Sequence, residues 1–499
     1  MTFFQRASWW CAAFVALGLP LSAQTATTSA DDLLTTITAF VEEENLGPQA
    51  AFALVVADLR SGTFLLDQNA SQSMTLGRLT KLYTAAAGLE RLGPDFRFTT
   101  TLALNGELLE DGTLEGSVLL LGGGDPVLGS AYFPEQPLGF PLNSFASELR
   151  RRGIKTITGD VVAVEGRYAG DVHSLSWSNA ASGAVHQVEV DALSYQGGEM
   201  RVTVDPGMDV GKRPRVTLHP ELEGILLQVQ ARVGEPGSTD SLIVERQDEG
   251  KVIMVRGNIP AGSRPKVVGI PLVAAPFTAA VQFASELDQA GITVEGGPVA
   301  IDEFPGGAPN EELVTHQSPR LAELLPELFS PKNHLIAEVV GRELAHAEGK
   351  EPSFFGACAV LTDEVEQWGL KGSGFKLVDC SGVSEYNKGS ADALARLIIQ
   401  QRGPGLNQRL WMNSLPRATP AYQDFTGVDL GEWERAFGKY GDRLRFVLDS
   451  RENYAAFAGV LTTHTQKELV VVMLFEKAKF PAVTLERVLE RIDRAYLPE

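Results

Sequence analysis

The sequence predicts an α+β fold split by a β-rich insertion, and three observations carry that prediction. Helical periodicity governs the early chain and returns after residue 313. Three dense runs of β-branched and aromatic residues close the chain before a last helix. Between them, over residues 99–312, short strand-like runs alternate with Gly and Pro turns. Helices grouped around a late set of antiparallel strands point to α+β rather than α/β. The expected organisation is residues 24–98 plus 313–499 as one domain, with 99–312 as an insertion of two subdomains.

The elements follow in order. Leu33, Leu34, Ile37, Phe40 and Val41 predict a helix over Asp32 to Glu44. Ala51 to Asp58 reads as a strand, Ser61-Gly62 as its turn and Thr63 to Leu66 as the return. Leu79, Tyr83, Ala86 and Leu89 recur at three and four, which predicts an amphipathic helix from Leu79 to Leu92. Gly93 and Pro94 stop it. In the insertion, Val118 to Leu121 leads into Gly122-Gly123-Gly124-Asp125-Pro126. That run lacks the Gly-Lys-Ser/Thr of a phosphate loop. Val161 to Val164, Met200 to Val204, Leu226 to Ala231 and Val252 to Val255 are further strands. Helices follow at Leu321 to Leu328, Leu335 to Ala347, Phe354 to Trp368 and Ala391 to Gln401. Phe446 to Leu448, Ala455 to Leu461 and Leu469 to Phe475 are the closing strands. Val483 to Ala495 is the final helix.

The chain of 499 residues is 44% hydrophobic and 21% charged, an ordinary globular composition with room for two to four domains. A formal net charge of −20 disfavours nonspecific nucleic-acid binding. Residues 1–23 read as a signal peptide: Arg6, an apolar stretch from Ala7 to Leu19, Pro20, and Leu21-Ser22-Ala23 before a cleavage point at Gln24. An uncleaved anchor is the alternative. No later run is apolar enough to span a membrane, so the mature chain is expected in the periplasm or cell envelope, or secreted. Cleavage removes Cys11 and leaves Cys358 and Cys380. One disulfide is open to them in an oxidising compartment; the preferred reading is one buried thiol and one tight-turn residue. No spacing resembles a zinc site, so neither metal nor cofactor is expected.

Four segments carry a family resemblance. "MTLGRLTKLYTAAAGLERLG", "HQSPRLAELLPELFSPKNHLIAE", "LVDCSGVSEYN" and "YAAFAGVL" resemble the D-alanyl-D-alanine carboxypeptidases and endopeptidases of peptidase family S13, the penicillin-binding protein 4 type. The resemblance runs over most of the mature chain. It implies a penicillin-binding, β-lactamase-like transpeptidase domain. It also implies three catalytic elements: Ser-x-x-Lys, Ser-x-Asn and Lys-Thr-Gly. The serine opens a helix, and its lysine, one turn on, takes its proton. The second serine and the asparagine relay protons and hold the substrate amide. The last lysine attracts the terminal carboxylate, and its strand helps form the oxyanion hole.

Here each element departs. Lys81 matches the first lysine, but Arg78 stands where the resemblance places the serine. The second motif falls on Lys332-Asn333-His334, with neither end residue kept. The third falls on Val447-Leu448-Asp449, without cation or glycine. No catalytic motif is intact, and Asp449 is expected to repel a substrate carboxylate. Losing the nucleophile alone costs on the order of 10⁶ in turnover in a triad hydrolase. Arg78, Lys81 and Lys332 bring positive charge to the site, and Asp449 is expected to pair with Arg78 or Lys332. Arg is suited to bidentate pairing. The bland alternative is that these long side chains stay in solvent.

Other nucleophiles are weaker readings. Ser263-Arg264-Pro265-Lys266 and Ser373-Gly374-Phe375-Lys376 repeat the first spacing, but neither opens an apolar-periodic helix. Cys380, with Ser381 and Gly382, is expected on the pocket wall, and no base is identifiable to activate its thiol. His334 is a general base by type, or simply a replacement for the lost asparagine. Lys81 is either a cation for a bound anion or a stabiliser through ion pairing. The expected function is therefore that of an inactive envelope homologue with a binding or regulatory role in peptidoglycan metabolism. Its expected partner is peptidoglycan or a cell-wall enzyme. The alternatives are an active carboxypeptidase or endopeptidase with atypical residues, and a structural envelope protein.

Overall fold

The structure is a computed structural model. It describes residues 36–497 except 38, 42, 45, 131–139, 178–187, 223, 248–250, 306–308, 332, 418 and 420–436. The expected signal segment and Lys332 lie outside the described residues. Of the expected helix over 32–44, the described residues from Thr36 to Glu43 are helical.

Five antiparallel strands form the central sheet: β1 (Ala51–Asp58), β2 (Phe64–Gln68), β3 (Leu444–Arg451), β4 (Tyr454–Thr462) and β5 (Glu468–Glu476). Their order is β2-β1-β5-β4-β3, so the first strand pairs with the last, Ala51 opposite Glu476. β4 and β5 are buried along nearly their whole length. Alternation sends their side chains into two cores. Ala53, Val55, Val470, Val472 and Leu474 face one. Leu54, Val56, Val471, Met473 and Phe475 face the other, together with Phe40, Leu485 and Leu489. The second core is closed by the N-terminal helix and by α5 (Pro481–Arg494).

The first core holds α1 (Thr80–Arg91), α2 (Leu335–Ala347), α3 (Phe354–Gln367) and α4 (Ala391–Gln400). α1 is buried from Thr80 to Leu89 on all sides, so it is surrounded rather than amphipathic. This corrects the expected amphipathic face. The main neighbours of α1 are helices, while α4 packs on β1 and β5. The 3₁₀ turn ahead of α1, Gly77–Leu79, packs against β3 and β4. That turn puts Arg78 at the sheet edge.

Residues 99–317 build a separate apolar core around Leu102, Val118, Phe145 and Phe283. Thr99–Leu108 pairs with Thr113–Gly123 on one side and with Glu311–Gln317 on the other. Two helices, Leu142–Arg151 and Ala275–Gln289, pack within this β-rich region, where the sequence reading expected only strands. Among the described residues no helix is long and apolar enough to cross a membrane.

Candidate functional site

The site forms where the 3₁₀ turn, β3, the segment before α2 and the loop of residues 379–384 converge. Gly77 has φ +49, and a methyl group there would strike the Asp449 carboxylate and the Tyr454 hydroxyl. This close approach sets the turn against β3.

Arg78 and Asp449 meet. Arg78 Nη1 lies 3.7 Å from Asp449 Oδ1, and the Arg78 backbone N–H donates to Oδ2 at 3.3 Å. The side-chain contact is an ion pair, longer than a hydrogen bond, so the bidentate fork expected of Arg78 is not formed. Asp449 is 1% exposed, and a second cation reaches it: Arg451 Nη2 stands 3.4 Å from Oδ2 and also donates to the Val383 carbonyl at 3.2 Å. The sequence reading missed Arg451. The signal was its spacing, since residues two apart on a strand share a face. Val447 is buried in the first core, so β3 offers an apolar side chain where the resemblance calls for a cation.

Lys81 is fully buried on α1. Its Nζ donates to the carbonyls of Ser330 at 2.8 Å and Asn333 at 2.6 Å. Among the described residues no carboxylate comes within ion-pair distance, which corrects the ion-pairing alternative. Burial pulls its pKa well below the usual lysine value, and the Arg78 charge adds to this; Asp449, Glu338 and Glu327 act in the opposite sense. Asn333 is buried, and its Oδ1 accepts the Ile336 N–H in the first turn of α2 at 3.2 Å. His334 is buried at the start of α2, with its carbonyl accepting from Glu338.

The loop of residues 379–384 forms a wall behind Arg78. Asp379 accepts from Trp177 Nε1 at 2.9 Å, the Gly382 and Ser384 N–H groups at 2.7 Å, and Asn387 Nδ2 at 2.6 Å. Glu338 on α2 accepts the N–H groups of Cys380 at 3.1 Å and Ser381 at 2.8 Å. Burial raises the pKa of both carboxyls. Glu338 is pushed up to about 8, with the neighbouring Asp379 charge adding to the rise. Gly382, at φ +79, presses on the Gly77 carbonyl and leaves no room for a side chain. Cys380 is buried, its carbonyl accepting from Thr84 Oγ1 at 2.7 Å and its Sγ packed against Gly341 of α2. A cleft of about 480 Å³ opens beside Arg451, lined by Thr75, Tyr386, Lys388, Tyr454 and Glu476 among others.

The two other Ser-x-x-Lys strings lie elsewhere. Ser263 donates to the Pro260 carbonyl within a turn of the insertion. Ser373 is exposed in the loop before the wall and opens no helix.

Comparison with known proteins fits this architecture. The sequence profile of the D-Ala-D-Ala carboxypeptidase 3 (S13) family matches residues 33–471. A D-alanyl-D-alanine carboxypeptidase from Actinomadura sp. (strain R39) is 28% identical over 385 residues, covering 74% of this chain and 68% of that protein. Carboxypeptidase DacB from Mycolicibacterium smegmatis is 25% identical over 356 residues, 70% of this chain and 60% of its own length. The crystal structure of penicillin binding protein 4 from Haemophilus influenzae superposes with a TM-score of 0.72 at 20% identity. That superposition covers 91% of this chain and 98% of the other, a likeness of fold.

Proposed function

This chain belongs to the D-Ala-D-Ala carboxypeptidase 3 (S13) family, and we propose that it is a cell-envelope member that no longer turns over peptide substrates. In this reading it serves by binding, or by regulating, in peptidoglycan metabolism. The expected partner is peptidoglycan or another wall enzyme. The expected domain division, a peptidase-like body of 24–98 plus 313–499 with a two-part insertion, belongs to the same reading.

The observation that carries it is the pairing of Arg78 with Asp449. Arg78 occupies the position at which the family resemblance calls for the nucleophile. A guanidinium has no lone pair to attack a carbonyl and stays protonated at any working pH. Lys81 has the depressed pKa of a candidate base, yet the hydrogen bonds of its Nζ go to two backbone carbonyls, and the resemblance's serine position beside it is Arg78. Asp449 puts a carboxylate on the strand from which the family attracts one.

Labelling with a fluorescent penicillin tests the loss of turnover. No covalent adduct and no D-alanine release from a pentapeptide are expected. An adduct located by mass spectrometry would overturn the reading in favour of an active carboxypeptidase with unusual residues. Pull-down on purified peptidoglycan tests the binding role; failure to sediment with the wall or with a wall enzyme would leave a structural envelope protein as the better account.

A further inference from the structure

A second cavity opens at the far end of the sheet, apart from the cleft beside Arg451. It holds about 270 Å³ and is lined by Arg402, Arg409, Arg443 and Arg445, with Asp442 and Glu468 as its acidic residues. Four arginines against two carboxylates run counter to a chain whose formal net charge is −20. Arg445 and Asp449 both lie on β3, four residues apart, or about 13 Å along the strand. The cavity is therefore separate from the Arg78 site.

The fold fixes these cations without neutralising them. Arg445 Nη1 donates to Asn413 Oδ1 at 3.0 Å and to the Met412 carbonyl at 3.3 Å, at the end of the helix Leu406–Ser414. Arg409 donates to the Pro404 carbonyl. Both arginines are thus held by neutral oxygens. Arg443 is different, since Asp493 pairs with it at 2.9 and 3.0 Å. Asp442 is taken by Arg417 at 3.1 Å. Among the described residues, no carboxylate comes within ion-pair distance of Arg402, Arg409 or Arg445. Burial pulls the Arg445 pKa below the usual arginine value and the Arg417 charge adds to this, while Glu468 and Asp442 act in the opposite sense. Half-buried cations without carboxylate partners lose hydration that a bound anion would replace.

We propose that this cavity is an anion site that takes a phosphate group, with Arg402, Arg409 and Arg445 as its guanidinium ligands. The planar guanidinium fork matches phosphate oxygens and keeps its charge at any working pH. The volume is at the low end for a small-molecule pocket, so it admits a head group rather than a glycan strand. Arg402 and Arg409 are exposed, which leaves the entrance open. The phosphate comes either from a soluble ligand or from a lipid head group.

This proposal goes beyond the functional reading, and penicillin labelling does not bear on it. It is tested on the full chain at low ionic strength, by calorimetric titration with inorganic pyrophosphate and by co-sedimentation with phosphatidylglycerol vesicles. Pyrophosphate binding, one per chain, marks a soluble ligand; binding to the vesicles alone marks a lipid head group. In either case Arg402→Gln and Arg445→Gln are each expected to weaken binding at least about tenfold. Arg402 is exposed, so its variant keeps the test decisive even where Arg445→Gln fails to fold. Lys251→Gln, which removes an exposed cation of the insertion, is expected to change affinity by less than about twofold. Absence of binding in both experiments would overturn the proposal. So would binding that Arg402→Gln leaves unchanged, or that Lys251→Gln weakens as much.

Discussion

Two buried carboxylates sit on opposite sides of the Gly77–Leu79 turn and are held in different ways. Asp379 is surrounded by neutral donors, four of which converge on it from Trp177, Gly382, Ser384 and Asn387. Asp449 is held by charge, between the Arg78 and Arg451 side chains, with one long backbone hydrogen bond. The wall around Asp379 is a set of short, directed bonds that specify a loop conformation. The Asp449 arrangement is looser, with partners that reach solvent. The shape of the site is therefore maintained by groups separate from those that would touch a substrate, and the contact groups can change while the frame remains.

The comparison breaks most visibly in activity. A chain with arginine at position 78 is expected to release D-alanine on the order of 10⁶ more slowly than a serine-bearing relative. Arg78→Ser alone is not expected to restore it, because β3 still presents Val447 and Asp449. Next in size is Asp379→Ala, which strands several buried donors and is expected to cost about 3–5 kcal/mol in denaturant unfolding. Asp449→Asn is expected to cost less, about 1–3 kcal/mol, since both arginines can rehydrate. If the Asp449 variant proves the more destabilising of the two, the contrast between directed bonds and loose charge is wrong.

Two further effects sharpen the same contrast. Glu338 binds its proton more tightly in the folded chain than in the unfolded one. Its contribution to stability is full below about pH 4.5 and is lost as pH rises through about 8. Glu338→Gln, measured against the wild type in parallel melts, is therefore expected to gain relative stability of about 3 kcal/mol from pH 5 to pH 8. A constant offset across that range would show that the wall does not hold the proton. Last is Arg451→Ala. With Arg451 46% exposed and Arg78 still in place, a loss of at most about 1 kcal/mol is expected.

How much of this was legible in the sequence depends on which physical signal each feature leaves. The closing strands were readable because β-branched density survives without context, and β3, β4 and β5 lie where Phe446, Ala455 and Leu469 predict them. The insertion helix Leu142–Arg151 was missed although Leu142, Phe145, Ala146 and Leu149 carry a helical spacing. Neighbouring Gly and Pro drew attention to turns instead. In the site, the identities of Arg78, Lys81 and Asp449 could be placed by counting along matching text. The environment of Lys81 could not, because its acceptors are backbone carbonyls that any residue could supply. Trp177 and Asp379 meet across the fold, a contact that no local pattern encodes.

The pairing of the first strand with the last has a consequence for how the protein is made. Ala51 finds its partner Glu476 only after roughly four hundred intervening residues have been synthesised. Until β5 emerges, β1 has only the β2 hairpin, and a lone hairpin is marginal in water. The residues 99–317, with an apolar core of their own, can settle much earlier. A nascent chain would therefore carry an ordered middle between unfinished edges. Interrupting synthesis shortly before β5 is expected to leave the sheet open, and with it an exposed strand edge of the kind that chaperones bind.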